Sequence, residues 1–267
     1  MDKSEQKHRK KLNTQQLEVL ELLYKFRFGS NDLIAQYFGK KDRSFVFKRL
    51  SILLDQRLIG KRFDSSYRIK GKPAAYYLLP AGARALQENR LDRPINIKAI
   101  YKDKTVSEDF VNYCFEVFSL YCQLKRTYGD SLKFIAKSQL ANRYDYFEDF
   151  VPSVYVRLDV DGSEKHFFLE YLQNSKPFFT ILRRLKQYIE YADSGEWEAG
   201  TNSDFPNVLL VCDSPSLQKR LLKKASSILE DADDELRLYL AIKSNLNEWY
   251  DLTEPDEKCV SQSALFE

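Results

Sequence analysis

The sequence predicts a two-domain α+β and α/β protein. An N-terminal winged helix-turn-helix precedes a mixed β-sheet flanked by helices. Three observations carry this. The first 91 residues hold three short helix patterns followed by two strand patterns. Beyond residue 105 the patterns run helix, three strands, helix, strand, helix, strand. Charge divides the same way: residues 1–100 carry 22 Lys and Arg against 10 Asp and Glu, while the rest carries 20 against 29. A basic half of this size is suited to a polyanion.

Composition narrows the class. The 267 residues are 43% hydrophobic and 30% charged. That is enough to bury a core, and no apolar run is long enough to span a bilayer. The basic start, MDKSEQKHRKK, lacks a signal peptide's apolar stretch. Cys114, Cys122, Cys212 and Cys259 are scattered, with only His8 and His166 beside them. Reduced thiols, a cytoplasmic location and no metal-binding cysteine site are therefore expected.

Residues 1–13 read as a disordered basic arm and 14–91 as the winged helix. Asn13 and Thr14 can cap a helix whose apolar positions are Leu17, Leu20, Leu23 and Tyr24. Phe28-Gly29 ends it. Ser30 can cap a second helix, NDLIAQYF, closed by Gly39. Asp42 can cap a third, with Val46, Leu50, Leu53 and Leu54 as its buried stripe. A basic strand, IGKRF, a polar tip, DSSYRIKGKP, and a second strand, AAYYLL, then form the wing. In this arrangement the third helix enters the major groove. Its outward positions are Arg43, Ser44, Phe47, Lys48 and Ser51, and the wing adds Lys61, Arg62, Arg68, Lys70 and Lys72. Arg and Lys suit phosphate and guanine, and Ser suits backbone or base. Double-stranded DNA is the expected partner. A winged helix that docks protein instead stays open.

Residues 92–104 read as a linker, 105–253 as the sheet domain and 254–267 as a flexible tail. A long helix begins near Ser107, DSLKFIAKSQL reads as a strand, and a hairpin follows. Asp161-Gly162 is a two-residue turn signal, pairing Val160 with Ser163 and setting Ser153 opposite Glu170. Alternation puts Val154, Val156, Leu158, Phe167 and Leu169 on the core face, and Ser153, Tyr155, Arg157, Phe168, Glu170 and Leu172 on the other. PNVLLVCD reads as a buried strand, SPSLQKRLLKKASSILEDA as a helix capped by Ser214, ELRLYLAI as a strand and SNLNEWYDL as a last short helix.

Several short stretches resemble the replication-relaxation family of mobile-element proteins. They are Tyr76-Tyr77-Leu78-Leu79-Pro80-Ala81-Gly82; Pro152-Ser153 with Phe168-Leu169-Glu170; Leu185-Lys186-Gln187-Tyr188 with Ser194-Gly195-Glu196-Trp197; and Phe205-Pro206-Asn207-Val208-Leu209. The resemblance spans most of residues 14–213. It implies a DNA-binding protein of plasmid replication or relaxation, alongside replication or mobilisation proteins, with a restriction-endonuclease-like second domain. The site of such folds is Pro-Asp followed by (Asp/Glu)-x-Lys.

This chain departs from that pattern at two of three places. Ser153 stands for the aspartate and Leu172 for the lysine, with Glu170 retained. A hard divalent cation needs more than one carboxylate, and the attacking water needs the lysine. No catalytic residue and no cofactor are therefore expected, with magnesium relevant only if the site is rebuilt. Lys176, Lys186, Asp145, Glu148 and Asp149 are the residues that could rebuild it. Asp159 and Asp161 lie ~20 Å from Ser153 at strand spacing, too far to help. Arg157 is the expected partner of Glu170, and Arg183, Arg184 and Lys186 read as a solvated helix face able to meet phosphates. A tyrosine nucleophile lacks the histidine cluster that would hold its metal, so Tyr76 and Tyr77 read as packing. A pseudo-palindrome-binding homodimer acting as a transcriptional regulator, an active nuclease and a protein adaptor remain open alternatives.

Overall fold

The computed structural model describes residues 11–90, 95–140, 144–147, 149–160, 162–229, 236–253 and 259–266. The expected basic arm, Asp92, Arg93, Glu148 and Asp161 fall wholly or largely outside that set. The chain divides into two compact units, Met1–Cys122 and Gln123–Glu267.

The first unit opens with α1 (Thr14–Phe26), which Asn13 caps through its side chain and Gln16 closes as a reciprocal box. β1 (Phe28–Gly29) follows, so this pair continues as strand instead of merely ending the helix. α2 (Asn31–Tyr37) is capped by Ser30. α3 (Ser44–Asp55) buries Val46, Leu50 and Leu53, while Leu54 is only half-buried. β2 (Ile59–Arg62) and β3 (Ala75–Leu78) pair antiparallel, and β1 adds to β3, giving the order β1-β3-β2. The tip between β2 and β3 is not a plain loop but carries α4 (Ser65–Ile69). α5 (Pro80–Arg90) and α6 (Ile97–Tyr101) follow. Leu20, Leu23, Phe28, Ile34, Leu50 and Phe118 are fully buried here.

The segment read as a linker holds more structure than expected. α6 lies within it, and Asp103 is 2% exposed and bonded to Arg27. A buried carboxylate needs such a partner, which pins the segment to the end of α1.

α7 (Glu108–Tyr128) contains the point where the two units divide. The second unit continues with β4 (Leu132–Ala136), α8 (Lys137–Leu140), β5 (Val154–Val160) and β6 (Ser163–Leu172). α9 (Phe178–Asp193), α10 (Glu196–Thr201) and β7 (Asn207–Cys212) come next. α11 (Pro215–Leu222), capped by Ser214, and α12 (Ala225–Leu229) lead to β8 (Leu238–Ile242). β9 (Asn245–Asp251), β10 (Val260–Ser261) and α13 (Gln262–Phe266) close it.

The seven strands form one mixed sheet flanked by helices, in the order β10-β9-β8-β7-β6-β5-β4. β6, β7 and β8 are parallel and their neighbours antiparallel. The β6–β7 crossover runs through α9, as a parallel pair requires. Two corrections follow. SNLNEWYDL is strand β9, not a helix, because Trp249 is buried and the chain pairs with β8. The tail is not loose throughout: Phe266 is fully buried against Phe167.

Neither sheet face is open at the hairpin. Tyr155, Phe168 and Leu172 pack with Leu185 and Tyr188 of α9. Val156, Leu158 and Phe167 are equally buried on the opposite face. The expected division into a core face and a site face fails, because α9 covers the second face. No described helix is long and apolar enough to cross a membrane.

Candidate functional site

α3 places its polar positions as its leucine stripe dictates. Val46, Leu50 and Leu53 point inward, which turns Arg43, Ser44, Phe47 and Lys48 outward and leaves Ser51 half-buried. Phe47 is 56% exposed, so it belongs to the outer face and not to the core. Two acids temper this face. Arg43 Nε lies 2.8 Å from Asp32 Oδ1. Asp42 accepts the Ser44 amide at 2.8 Å and its hydroxyl, and these bonds hold its carboxyl below the usual range. An exposed pair of this kind is worth roughly 0–1 kcal/mol, so a phosphate can displace it.

The cations of the β2–β3 region divide into two sets. Lys61, Arg68 and Lys70 are exposed. Arg62 Nη1 donates to Val106 O at 2.8 Å, and Lys72 is bonded to Glu108. These last two fasten the β2–β3 region to the segment opening α7. Tyr76 and Tyr77 are buried on β3, as packing residues.

At the hairpin the register runs from Val160↔Ser163 to Val154↔Leu169, and one step further Ser153 meets Glu170. Glu170 is 4% exposed, and both its oxygens accept hydrogen bonds. Oε2 accepts from Ser153 Oγ at 2.6 Å. Oε1 accepts from the Ser153 amide at 3.0 Å, Tyr188 hydroxyl at 2.7 Å and Arg184 at 2.5 and 3.0 Å. Burial pushes this carboxyl up, but the Arg184 guanidinium and the hydrogen bonds outweigh it and hold the group below its ordinary value. Arg184 also donates to Val151 O at 2.8 Å and lies 4.4 Å over the Phe150 ring.

These residues do not fit a metal. Both Glu170 oxygens already accept hydrogen bonds, and a guanidinium already supplies the positive charge. Among the described residues no group of three or more His, Cys, Asp and Glu could hold an ion. Leu172 is buried in the apolar cluster, and Lys176 is exposed. The Lys137 amide donates to Ser153 O at 2.9 Å, and Lys186 is exposed. Desolvation, then the charge of Arg184, lowers the Lys137 pKa against the pull of Glu170.

Two expectations are corrected. Arg157 does not partner Glu170; it lies 3.2 Å from Glu164. Arg184 does, and so it is not part of a solvated face. Arg184 and Tyr188 are four apart on α9, hence on one helix face with the buried Leu185 and Ile181 beside them. That spacing was the available signal.

A second polar group sits at the carboxyl ends of β6, β7 and β8. Asp213 accepts from Tyr171 hydroxyl at 2.8 Å and pairs with Lys243 at 2.8 Å. Burial raises its pKa, and the bonds from Lys243 and Tyr171 bring it below the ordinary value.

No curated protein and no solved structure matches the chain. The family model for replication-relaxation matches residues 20–208, from α1 across the β2–β3 pair and the β5–β6 hairpin into β7. That stretch is more than two thirds of the sequence, and the chain belongs to the replication-relaxation family.

Proposed function

We propose that this is a duplex-DNA-binding protein of plasmid or mobile-element replication and relaxation. On this reading the first unit is a winged helix: α3 enters the major groove and the β2–β3 wing meets the flanking backbone. The observation that carries it is the outward face of α3. Arg43, Ser44, Phe47 and Lys48 stand exposed there opposite a buried Val46-Leu50-Leu53 stripe. Lys61, Arg68 and Lys70 extend the positive charge along the wing.

The second unit is then a restriction-endonuclease-like sheet whose acidic site has become an internal ion pair. The helix-sheet-helix order α7, β4-β5-β6, α9, β7 supports that fold, and the Glu170–Arg184 pair supports the loss of metal chemistry. The protein works in the cytoplasm with replication or mobilisation proteins, and a homodimer would suit a two-fold DNA site.

The test is duplex binding by anisotropy across a salt series, comparing wild type with Arg43→Ala/Lys48→Ala. A steep salt slope that flattens in the variant supports groove reading. No binding by wild type at low salt ends it.

A further inference from the structure

The wing tip holds an unusual combination. Ile69 is 85% exposed, the highest of the exposed large apolar side chains among the described residues. It ends α4 between Arg68 and Lys70, which are exposed and form no salt bridge among the described residues. A single exposed isoleucine is ordinary on a protein surface. Its mounting is what singles it out. The Asp64 carboxylate accepts from the amides of Ser66 at 2.8 Å and Tyr67 at 3.2 Å, fixing the first turn of α4. Tyr67 is 7% exposed in the cluster with Phe28 and Tyr77, and its carbonyl accepts from the Lys72 amide at 2.8 Å. Lys72 is tied in turn to Glu108. The tip is thus anchored from below, and its outer end is a branched aliphatic group between two cations.

Backbone contact alone calls for cations, not for a fixed apolar side chain. Proteins that enter the minor groove pair both features: an aliphatic wedge parts a base step while neighbouring cations neutralise phosphates. We propose that Ile69 is such a wedge, inserted by the wing tip at a base step of duplex DNA, with Arg68 and Lys70 on the flanking phosphates. This rests on the DNA-binding reading above and adds to it a contact and a deformation of the DNA.

The experiment uses full-length protein and a short duplex rich in TA steps, which kink readily, labelled at both ends for energy transfer. Salt-dependent anisotropy is read on the same samples. Circular dichroism checks that Ile69→Ser and Ile69→Met fold as wild type. The expected result is a bend with wild type and Ile69→Met, and binding without a bend for Ile69→Ser at an unchanged salt slope. If Ile69→Ser bends DNA as wild type does, or wild type binds without bending, the wedge is overturned while DNA binding stands. If wild type shows no salt-sensitive binding, both readings fall, and Ile69 belongs to a protein contact.

Discussion

Ser153 Oγ lies 2.6 Å from Glu170 Oε2 across the β5–β6 pair. A hydroxyl therefore donates to the carboxylate from the neighbouring strand end. The carboxylate is buried, and its charge is matched by Arg184. Removing one member of such a pair leaves the other charged and unpaired. Glu170→Gln is expected to destabilise the fold by roughly 3–5 kcal/mol, and Arg184→Met by a similar amount. The double variant should lose far less than the sum. Urea unfolding of all four proteins checks this; additive losses would mean the pair is not coupled.

The same pair sets an acid limb. Glu170 has its folded pKa below the unfolded value, so its contribution is fully present above the unfolded pKa. It is lost as pH falls through the folded value. Wild type should therefore lose stability relative to Glu170→Gln as pH drops below the ordinary carboxylate range, near 4.3. Asp103 has the opposite sign: burial raises its pKa, so its ionisation costs stability as pH rises. Thermal unfolding across pH for wild type, Glu170→Gln and Asp103→Asn separates the two.

The cations of the β2–β3 region should sort by anchorage. On the proposed DNA-binding reading, Arg68→Ala and Lys70→Ala should each reduce the salt slope of binding by about one and leave the melting temperature unchanged. Arg62→Ala and Lys72→Ala should lower the melting temperature, since each loses a contact to the Val106–Glu108 stretch. Equal behaviour of the four would contradict this division.

Gly82 is held by proximity. A Cβ there would sit 2.1 Å from Leu58 O, a backbone atom that also accepts from the Leu79 amide. Gly82→Ala is expected to cost about 1–3 kcal/mol or more, read as a fall in melting temperature. An unchanged melting temperature would mean that α5 can shift away from β2.

Thiol chemistry offers a fold check. Cys259 is exposed, while Cys114, Cys122 and Cys212 are buried. Burial pushes the Cys114 thiol up strongly and Cys122 and Cys212 to about 12. Ellman's reagent should titrate one thiol rapidly in the native protein and four in denaturant. Rapid reaction of a second thiol would point to an opening of its unit.

Local patterns carried much of this structure into the sequence. Asn13, Ser30 and Ser214 marked helix starts, because a capping side chain acts within three residues. Val160 and Ser163 fixed the hairpin register, because a two-residue turn leaves no freedom. Apart from the short α4 in the segment read as a polar tip, the main failures were long-range. Arg157 looked like the partner of Glu170 because strand alternation is visible in sequence and the approach of α9 is not. Trp249 lies in a strand that its flanking Asn and Glu disguised, and only pairing with β8 reveals it. The link from Arg27 to Asp103 joins residues 76 apart, with no local trace.

The seven-stranded sheet must end somewhere, and both of its margins are blunted. β10 contributes two residues before the chain turns into α13. β4 spans five residues, and Lys133 stands exposed in the middle of that margin, 3.9 Å from Glu164. Short outer strands and an outward lysine discourage chain-to-chain pairing. Copies of the chain at high local concentration meet often, and margins of this kind discourage them from zipping into fibres.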